Sequence, residues 1–399
     1  MASTLFQPAT LGPLTLRNRI IKAATFEGRT HGSVVSPDLI EFHRRVAAGG
    51  VAMTTVAYLA VEPGGRTDEN AIWLRPEVVG GLRDLTDAVH SEGALAAAQI
   101  GHAGPVANAA SNGAPSYAPG RFFNPLGMRR TRAASEADIA RITSEFAIGT
   151  RLAVQAGFDA LEVHLGHNYL LSSFLSPLLN RRDDRWGGSL ENRARFARQV
   201  LHAVRSTAGD RVAVTAKLNM TDGVRGGFDI DESLQVAQWL ADDDTIDALE
   251  LTGGSSLANP MFLFKGDTPV REFRSTLPWF LRPGFAAVGS KFLRRYPYHE
   301  GYFRDMASRY RDLLDTPIIL LGGISNLATA QDAIDDGFDF VAMGRALLHD
   351  PDLVNRYRDG SADTSGCIHC NRCMPTIYTR TRCPLVDPEP GDRPIAVRS

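Results

Sequence analysis

Short apolar runs rich in β-branched residues recur along the chain, and stretches with helical spacing separate them. Eight of these runs predict strands, over residues 19–23, 51–56, 94–100, 160–165, 212–218, 248–252, 318–321 and 340–343. Strands that are apolar at nearly every position are typical of a parallel sheet that is buried on both faces. The pattern therefore favours parallel strands with helices packed over them.

Helix-start signals stand between the apolar runs. Ser36 before Pro37 is an N-cap residue followed by proline at the first helical position. Ser135, followed three residues later by Asp138, resembles a capping box. The pattern predicts helices over residues 37–49, 135–157, 231–242 and 325–337. Because strand and helix alternate eight times, the sequence predicts a single (β/α)₈ TIM barrel rather than two domains.

The barrel is expected to occupy residues 1–360, and a Cys-rich C-terminal extension with a Pro-rich, extended end is expected over residues 361–399. Two connections, residues 101–135 and 253–316, are too long for ordinary barrel loops. The second is an insertion after the sixth strand and is rich in aromatic residues. Such a composition favours packed cover over an active site rather than disorder.

Composition narrows the function classes. Hydrophobic residues make up 44% of the 399-residue chain and charged residues 22%, which is ordinary for a globular enzyme in solution. The net charge of −2 implies no attraction to nucleic acid or to an anionic membrane. No apolar run is long enough for a transmembrane helix, the first residues lack a secretory pattern, and a cytoplasmic location is predicted. We expect a small-molecule substrate and leave a homo-oligomer open.

In a barrel of this kind, the carboxyl ends of the strands carry the chemistry. The residues at these ends that are candidates for binding a cofactor are Ala24, Thr25, Ala57, Gln99, Lys217, Gly322, Gly323, Gly344 and Arg345. Glycines after strands seven and eight, together with Arg345 and the helix after Ser325, predict a phosphate site. Lys217 in an apolar strand needs an anionic partner. That partner is either a cofactor or a barrel carboxylate such as Glu250, and the sequence does not choose between them.

The segment 159–196 places His164, His167 and Tyr169 on the turn after the fourth strand. One interpretation is a core histidine and a surface histidine. A second is a metal site of Glu162, His164 and His167, as in a metal-dependent barrel lyase. In the third, two imidazole N–H groups polarise a substrate oxygen and Tyr169 delivers a proton. Only the third gives Tyr169 a role, so it fits the three residues best.

The chain resembles the old yellow enzyme family of FMN-dependent oxidoreductases over about residues 5–358. The segments that carry the resemblance are LFQPATLGPLTLRNRI, QIGHAGP, EVHLGHNYLLSSFLSPLLNRRDDRWGGSLENRARF, LLGGI and VAMGRALLHDPDLV. The resemblance implies FMN at the top of the barrel. It places the first five cofactor candidates around the flavin, and Gly322, Gly323, Gly344 and Arg345 at its phosphate. It also implies that His164 and His167 hold the oxygen of a substrate.

The activity that this resemblance implies is ping-pong reduction of an activated alkene, such as an α,β-unsaturated carbonyl compound. NAD(P)H reduces the flavin and leaves, the flavin N5 then gives a hydride to the alkene, and Tyr169 supplies the proton. The alternatives are a cluster-containing flavoenzyme similar to dienoyl-CoA reductases or amine dehydrogenases, and the metal-dependent lyase. Phe26 departs from the family, since simpler relatives often carry threonine or cysteine at this place beside the flavin.

Four cysteines lie close together near the C-terminus, in the pattern C-x₂-C-x₂-C-x₉-C formed by Cys367, Cys370, Cys373 and Cys383. Thiolate groups in such patterns hold iron–sulfur clusters or zinc. The text CIHCNRC resembles the cluster segment of 2,4-dienoyl-CoA reductases and trimethylamine dehydrogenases, whose fourth cysteine comes slightly later. A [4Fe-4S] cluster, zinc and four reduced thiols all remain open at this point.

Overall fold

Eight parallel strands close into a barrel in the computed structural model, which describes residues 4–124 and 128–392. In chain order they are β1 (Ile20–Lys22), β2 (Met53–Ala60), β3 (Leu95–Gly101), β4 (Ala160–Leu165), β5 (Ala213–Asn219), β6 (Ala248–Thr252), β7 (Ile318–Leu321) and β8 (Phe340–Met343). Each strand pairs in parallel with the next, and β8 pairs with β1. The predicted (β/α)₈ barrel is therefore confirmed, with all eight strands at the predicted places.

The helices lie between and after these strands. They are α1 (Pro37–Ala48), α2 (Val79–Ser91), α3 (Ala109–Asn112), α4 (Glu136–Gln155), α5 (Leu170–Leu175), α6 (Leu190–Ala208), α7 (Ile230–Asp242), α8 (Val270–Thr276), α9 (Arg282–Phe292), α10 (Arg304–Arg311), α11 (Leu327–Asp335), α12 (Arg345–His349) and α13 (Leu353–Asp359). Among the described residues, no helix is both long enough and apolar enough to span a membrane.

Two of the predicted helix starts are confirmed, and the start of a third helix differs from the prediction. Ser36 caps α1 by accepting a hydrogen bond from the Leu39 amide. Ser135 and Asp138 form the expected capping box of α4. The helix expected from Ser325 begins instead at Leu327, because Asn326 is the residue whose side chain caps it.

A hairpin closes the amino-terminal end of the barrel. Its strands, Ala9–Leu11 and Leu14–Leu16, pair in antiparallel fashion. Leu11 and Leu16 are completely buried in one cluster with small inward residues of the barrel strands, such as Ala160, Ala213 and Ala248. Small side chains leave the space that the two leucines fill. Only the opposite end of the barrel, where the strands terminate, is left for a binding site.

The C-terminal residues return across that open end. The Thr381 amide donates to the Glu27 carbonyl at 2.9 Å, and Arg29 Nη2 donates to the Thr381 carbonyl at 2.8 Å. Cys373, Met374 and Tyr378 face the cavity at the top of the barrel. The division at residue 360 stays a prediction, and residues 393–399 of the expected extended end lie outside the described residues.

Candidate active site

A cavity of about 1830 Å³ lies at the carboxyl ends of the strands. It is lined by every residue proposed from the sequence as a catalytic or flavin-site residue: Ala24, Thr25, Ala57, Gln99, His164, His167, Tyr169, Lys217, Gly322, Gly323, Gly344 and Arg345. These residues come from seven of the eight strand ends. Phe26 lines the same cavity, and aromatic side chains of the insertion, among them Phe264, Phe273 and Phe285, form part of its wall.

The turn from β4 into α5 brings the three reactive side chains together. The ring centroids of His164 and His167 lie 5.1 Å apart, and those of His164 and Tyr169 lie 4.6 Å apart. His167 and Asn168 have backbone φ angles of 58° and 59°, in the left-handed region that non-glycine residues seldom occupy. Consecutive residues of this kind persist only where surrounding contacts hold them.

Those contacts come from the end of β5. Asn219 Oδ1 accepts a hydrogen bond from the His167 amide at 3.1 Å, and Asn168 Nδ2 donates to Asp222 Oδ1 at 3.0 Å. Asp222 is buried and also accepts from Ser176 Oγ at 2.6 Å, just after α5. Asn219 and Asp222 were not predicted from the sequence. The polar residues that follow the apolar part of β5 were the signal that could have indicated them.

Both histidines are neutral. Burial lowers the pKa of His164 well below its usual range and lowers that of His167 to about 3, and the nearby Lys217 charge acts in the same direction. Thr252 Oγ1 lies 2.9 Å from His167 Nε2. If the hydroxyl donates to Nε2, the ring proton of neutral His167 is on Nδ1. His164 Nδ1 is buried and has no hydrogen-bond partner among the described residues.

Tyr169 keeps its proton at any ordinary pH. Burial raises the pKa of its hydroxyl, and nearby Tyr378 and Asp68 raise it further. The ring contacts Tyr58 edge-on, with centroids 5.6 Å apart. A phenol that is always protonated and faces a cavity can act as a general acid toward a strong base formed there.

Lys217 has two buried carboxylate partners as well as access to the cavity. Its Nζ lies 3.0 Å from Glu162 Oε1 and 2.8 Å from Glu250 Oε1. Gln99 Nε2 donates to the same Glu162 oxygen at 2.6 Å. The salt bridge that the sequence left as an alternative is therefore present. Burial, followed by the Glu162 charge, raises the pKa of Glu250 to about 8.

The structure contradicts the metal site on which the lyase interpretation depends. Among the described residues, no group of three or more His, Cys, Asp or Glu side chains is arranged to hold a metal ion. Glu162 instead binds Lys217 and Gln99, and a cation beside the Lys217 ammonium would be repelled. Glu162, His164 and His167 thus do not form the predicted ligand set.

The expected phosphate site after strands β7 and β8 has one unexpected feature, at Ser325. Ser325 N donates to Glu300 Oε2 at 3.0 Å, and Ser325 Oγ also donates to this carboxylate. The anion at Ser325 is therefore Glu300, just before the helix whose N-terminus was expected to favour a phosphate. A Cβ on Gly322 would lie 2.5 Å from Phe303 Cδ2, so only glycine fits there, at a φ of 107°.

The residues that are present fit an FMN. Arg345 is half-buried, and its Nη1 donates to the Lys265 carbonyl at 3.0 Å and to Asn371 Oδ1, which leaves other guanidinium N–H groups for a phosphate. Gln99 and Lys217 provide polar groups for the pyrimidine edge, and Ala24 and Ala57 leave room for a flat ring. The buried, unpartnered His164 Nδ1 is a polar atom that a ligand in the cavity could satisfy.

Of the four cysteines, only Cys373 lines the cavity. All four are free thiols, Cys383 is buried, and the other three are half-buried. Burial raises the pKa of Cys373 to about 12 and that of Cys383 to about 11. Within the described part of the chain, no three of these thiols, alone or with His, Asp or Glu, are arranged to hold a metal ion. The [4Fe-4S] cluster stays a prediction.

The chain is similar to known oxidoreductases in sequence and in fold. The model of the NADH:flavin oxidoreductase / NADH oxidase family matches residues 4–255. A 4,4'-dithiodibutanoate disulfide reductase of Rhodococcus erythropolis is 54% identical over 96% of this chain and 95% of its own length. A metal reductase of Desulforamulus reducens is 31% identical over 94% of this chain, which spans only 52% of that longer protein. The old yellow enzyme homologue of Zymomonas mobilis superimposes with a TM-score of 0.73 at 23% identity, covering 96% of this chain and 98% of that one.

Proposed function

Because the chain belongs to the NADH:flavin oxidoreductase / NADH oxidase family, we propose that it reduces activated C=C bonds conjugated to a carbonyl-type group. FMN is its cofactor and NAD(P)H the reductant. The observation that supports the proposal is the side-by-side placement of His164, His167 and Tyr169 in the cavity. Two neutral imidazoles beside one protonated phenol suit a substrate whose oxygen must be polarised while a carbon is protonated.

Bound FMN supplies the hydride, from its N5, once NAD(P)H has reduced it. The chain's own residues do the rest. His164 and His167 donate hydrogen bonds to the substrate oxygen, which draws electron density from the alkene and stabilises the negative charge that builds up on that oxygen. Tyr169 gives its hydroxyl proton to the carbon next to the carbonyl group. The buried wall excludes water and so strengthens both effects.

The test is the Tyr169→Phe variant, followed by stopped-flow under anaerobic conditions. We expect the oxidation of reduced enzyme by cyclohex-2-enone to slow by about 10²- to 10⁴-fold, because the general acid is lost. Reduction of the enzyme by NAD(P)H should stay within about threefold of the wild-type rate, since no proton from Tyr169 enters that step. Tyr58→Phe is the matched control, because the Tyr58 hydroxyl is bound to the Gly65 carbonyl. Equal losses in both half-reactions would contradict the proposal.

A second candidate is reduction of a disulfide, favoured by the 54% identity to the 4,4'-dithiodibutanoate disulfide reductase. Here the hydride adds to one sulfur and the S–S bond breaks, which gives one thiol and one thiolate. The thiolate then takes a proton from water, so that one disulfide, one hydride and one proton yield two thiols. Mixing the reduced enzyme with 4,4'-dithiodibutanoate and, separately, with cyclohex-2-enone distinguishes the two candidates. The compound that oxidises it faster indicates the activity, and failure of both refutes both.

A further inference from the structure

We propose that Arg121 and Arg181 form an anion-binding rim at the mouth of the cavity, which selects substrates that carry a carboxylate a few atoms away from the reducible bond. The proposal rests on the function proposed above and assigns its substrate class. Both arginines line the cavity. They come from different parts of the chain, Arg121 from the connection after β3 and Arg181 from the segment after α5.

These two segments are packed against each other. A Cβ on Gly120 would lie 3.8 Å from the Leu179 carbonyl oxygen, so the neighbours of Arg121 and Arg181 are in contact. Arg182 Nη1 also joins the two segments, because it donates a hydrogen bond to the Pro119 carbonyl at 3.2 Å. The backbone segments that carry Arg121 and Arg181 are therefore packed together, and both side chains line the cavity.

Neither guanidinium has a partner within residues 4–124 and 128–392. Arg182, the residue after Arg181, pairs with Asp184, whereas Arg121 and Arg181 are exposed and make no ion pair or hydrogen bond with the described part of the chain. Two like charges held near each other repel, and a bound anion removes that repulsion. A planar guanidinium also matches the geometry of a carboxylate.

The acids of the cavity wall do not neutralise the rim. Those acids are Asp68 and Glu69, and both lie within electrostatic range of Arg66. Asp68 Oδ1 also accepts the Asn70 amide at 2.9 Å. Deeper in the cavity, the Lys217 charge is offset by its buried carboxylates. The uncompensated positive charge of the mouth is thus that of Arg121 and Arg181.

Apolar wall separates the rim from the reactive turn. Phe122, Leu178 and Leu179 line the cavity beside the arginines. Tyr169 lies at the start of α5, which is about 9 Å long, and Arg181 lies in the segment that follows the end of this helix. A substrate that fits has a carboxylate at the rim, a short apolar chain along this wall and its reducible bond beside Tyr169.

The test measures binding first, on the oxidised, FMN-loaded protein. Decanedioate has the chain length of 4,4'-dithiodibutanoate but no reducible bond, and 1,10-decanediol is its uncharged counterpart. By calorimetric titration, we expect Arg121→Gln and Arg181→Gln each to weaken decanedioate binding by about five- to tenfold, and the double variant to weaken it further. Binding of the diol should change by less than about twofold. Arg185→Gln is the matched control, because Arg185 lies on the same loop and packs over Trp186 outside the cavity.

Turnover then separates this proposal from the one it rests on. With 4,4'-dithiodibutanoate, or with a carboxylated enone, we expect KM to rise by the same factor as the dissociation constant of decanedioate, while kcat stays within about twofold. Unchanged decanedioate binding in the double variant, or an equal loss for the diol, would overturn the rim. If no probe reoxidises the reduced enzyme, the proposed function fails, and the titration still decides the rim.

Discussion

Protonation at this site is set residue by residue through burial. His164 and His167 lose their charge because the cavity floor keeps water away, and Tyr169 keeps its proton for the same reason. Lys217 lies beside them in the barrel with two buried glutamates, Glu162 and Glu250. Two carboxylates that share one ammonium cannot both ionise easily, so Glu250 carries a proton at neutral pH.

This proton gives a pH-dependent stability. Because the pKa of Glu250 is about 8 in the folded chain against an ordinary 4.5, the folded state binds more protons between these values. The free energy of unfolding therefore falls as pH rises through that window. A glutamine at this position cannot titrate and can still accept a hydrogen bond from Lys217, so Glu250→Gln should remove this fall. The measurement is the thermal midpoint at about pH 5 and about pH 9.

The expected result for Glu250→Gln is a midpoint close to wild type at the lower pH and above it at the higher pH. Glu69→Gln, an exposed carboxylate, is the control and should follow wild type throughout. A variant that loses stability to the same extent as wild type across this range would show that Glu250 is not the titrating group.

At individual positions, the sequence could indicate a functional residue without identifying its partners. Lys217 could be picked out because a lysine in an apolar strand is conspicuous, yet its partners could not be chosen. Glu162 and Glu250 lie on neighbouring strands, at sequence distances that carry no local pattern. Thr252, Asp222 and Glu300 were missed for the same reason, since their partners are defined only when the barrel closes.

Among the elements, the turn from β4 into α5 depends most on a neighbour. Asp222 accepts four hydrogen bonds, from Asn168, Ser176, Asn219 and the Phe228 amide. It thereby joins the reactive turn to the end of α5 and to β5. The left-handed conformation of His167 and Asn168 is held by these bonds and by Asn219.

Asp222→Asn should therefore weaken the turn. An amide can accept on one side only, so donors on the other side lose their partner, and each buried donor left unpaired costs about 1–3 kcal/mol. We expect a loss of this size in the free energy of unfolding, measured with urea, together with a lower kcat because His167 and Tyr169 are less well placed. Asp183→Asn, on an exposed loop, is the control. Wild-type stability in Asp222→Asn would contradict this role of Asp222.

Most elements could be predicted because their signals are local. Apolar strands and capped helices such as α1 and α4 depend on residues within a few positions of each other. The start of α11 shifted by two residues because Ser325 and Asn326 are both good caps, and Ser325 is engaged by Glu300. Glu300, which is far away in sequence, binds Ser325, and Asn326 is therefore the residue that caps α11.

At the scale of the whole molecule, the C-terminal segment is part of the active-site wall. Thr381 is bonded to the segment after β1, and Cys373 and Tyr378 face the same cavity as Tyr169. The barrel itself was predictable from eight alternations of strand and helix. The return of this segment was not, because cysteine spacing says nothing about where the thiols lie.

Gly28→Ala tests this wall. A Cβ on Gly28 would lie 2.7 Å from the Ile377 carbonyl oxygen, so the C-terminal segment must move away. Gly32→Ala is a matched control with nearly the same φ, +63° against +58°, but nothing within 4 Å. We expect Gly28→Ala alone to lower the amount of FMN retained on gel filtration and to speed proteolysis near residue 378. Equal behaviour of the two variants would show that the contact is dispensable.

The pairing of β8 with β1 and the bond of Thr381 to Glu27 also determine when the site can exist during biosynthesis. A ribosome that adds about 5–20 residues per second needs about 20–80 s for this chain. The ring of strands stays open until β8 (Phe340–Met343) has emerged from the ribosome, and one wall of the site is missing until Thr381 has emerged. We therefore expect the site to bind its cofactor only after both segments have emerged, and a chain terminated before β8 to expose its apolar strands without gaining the ligand.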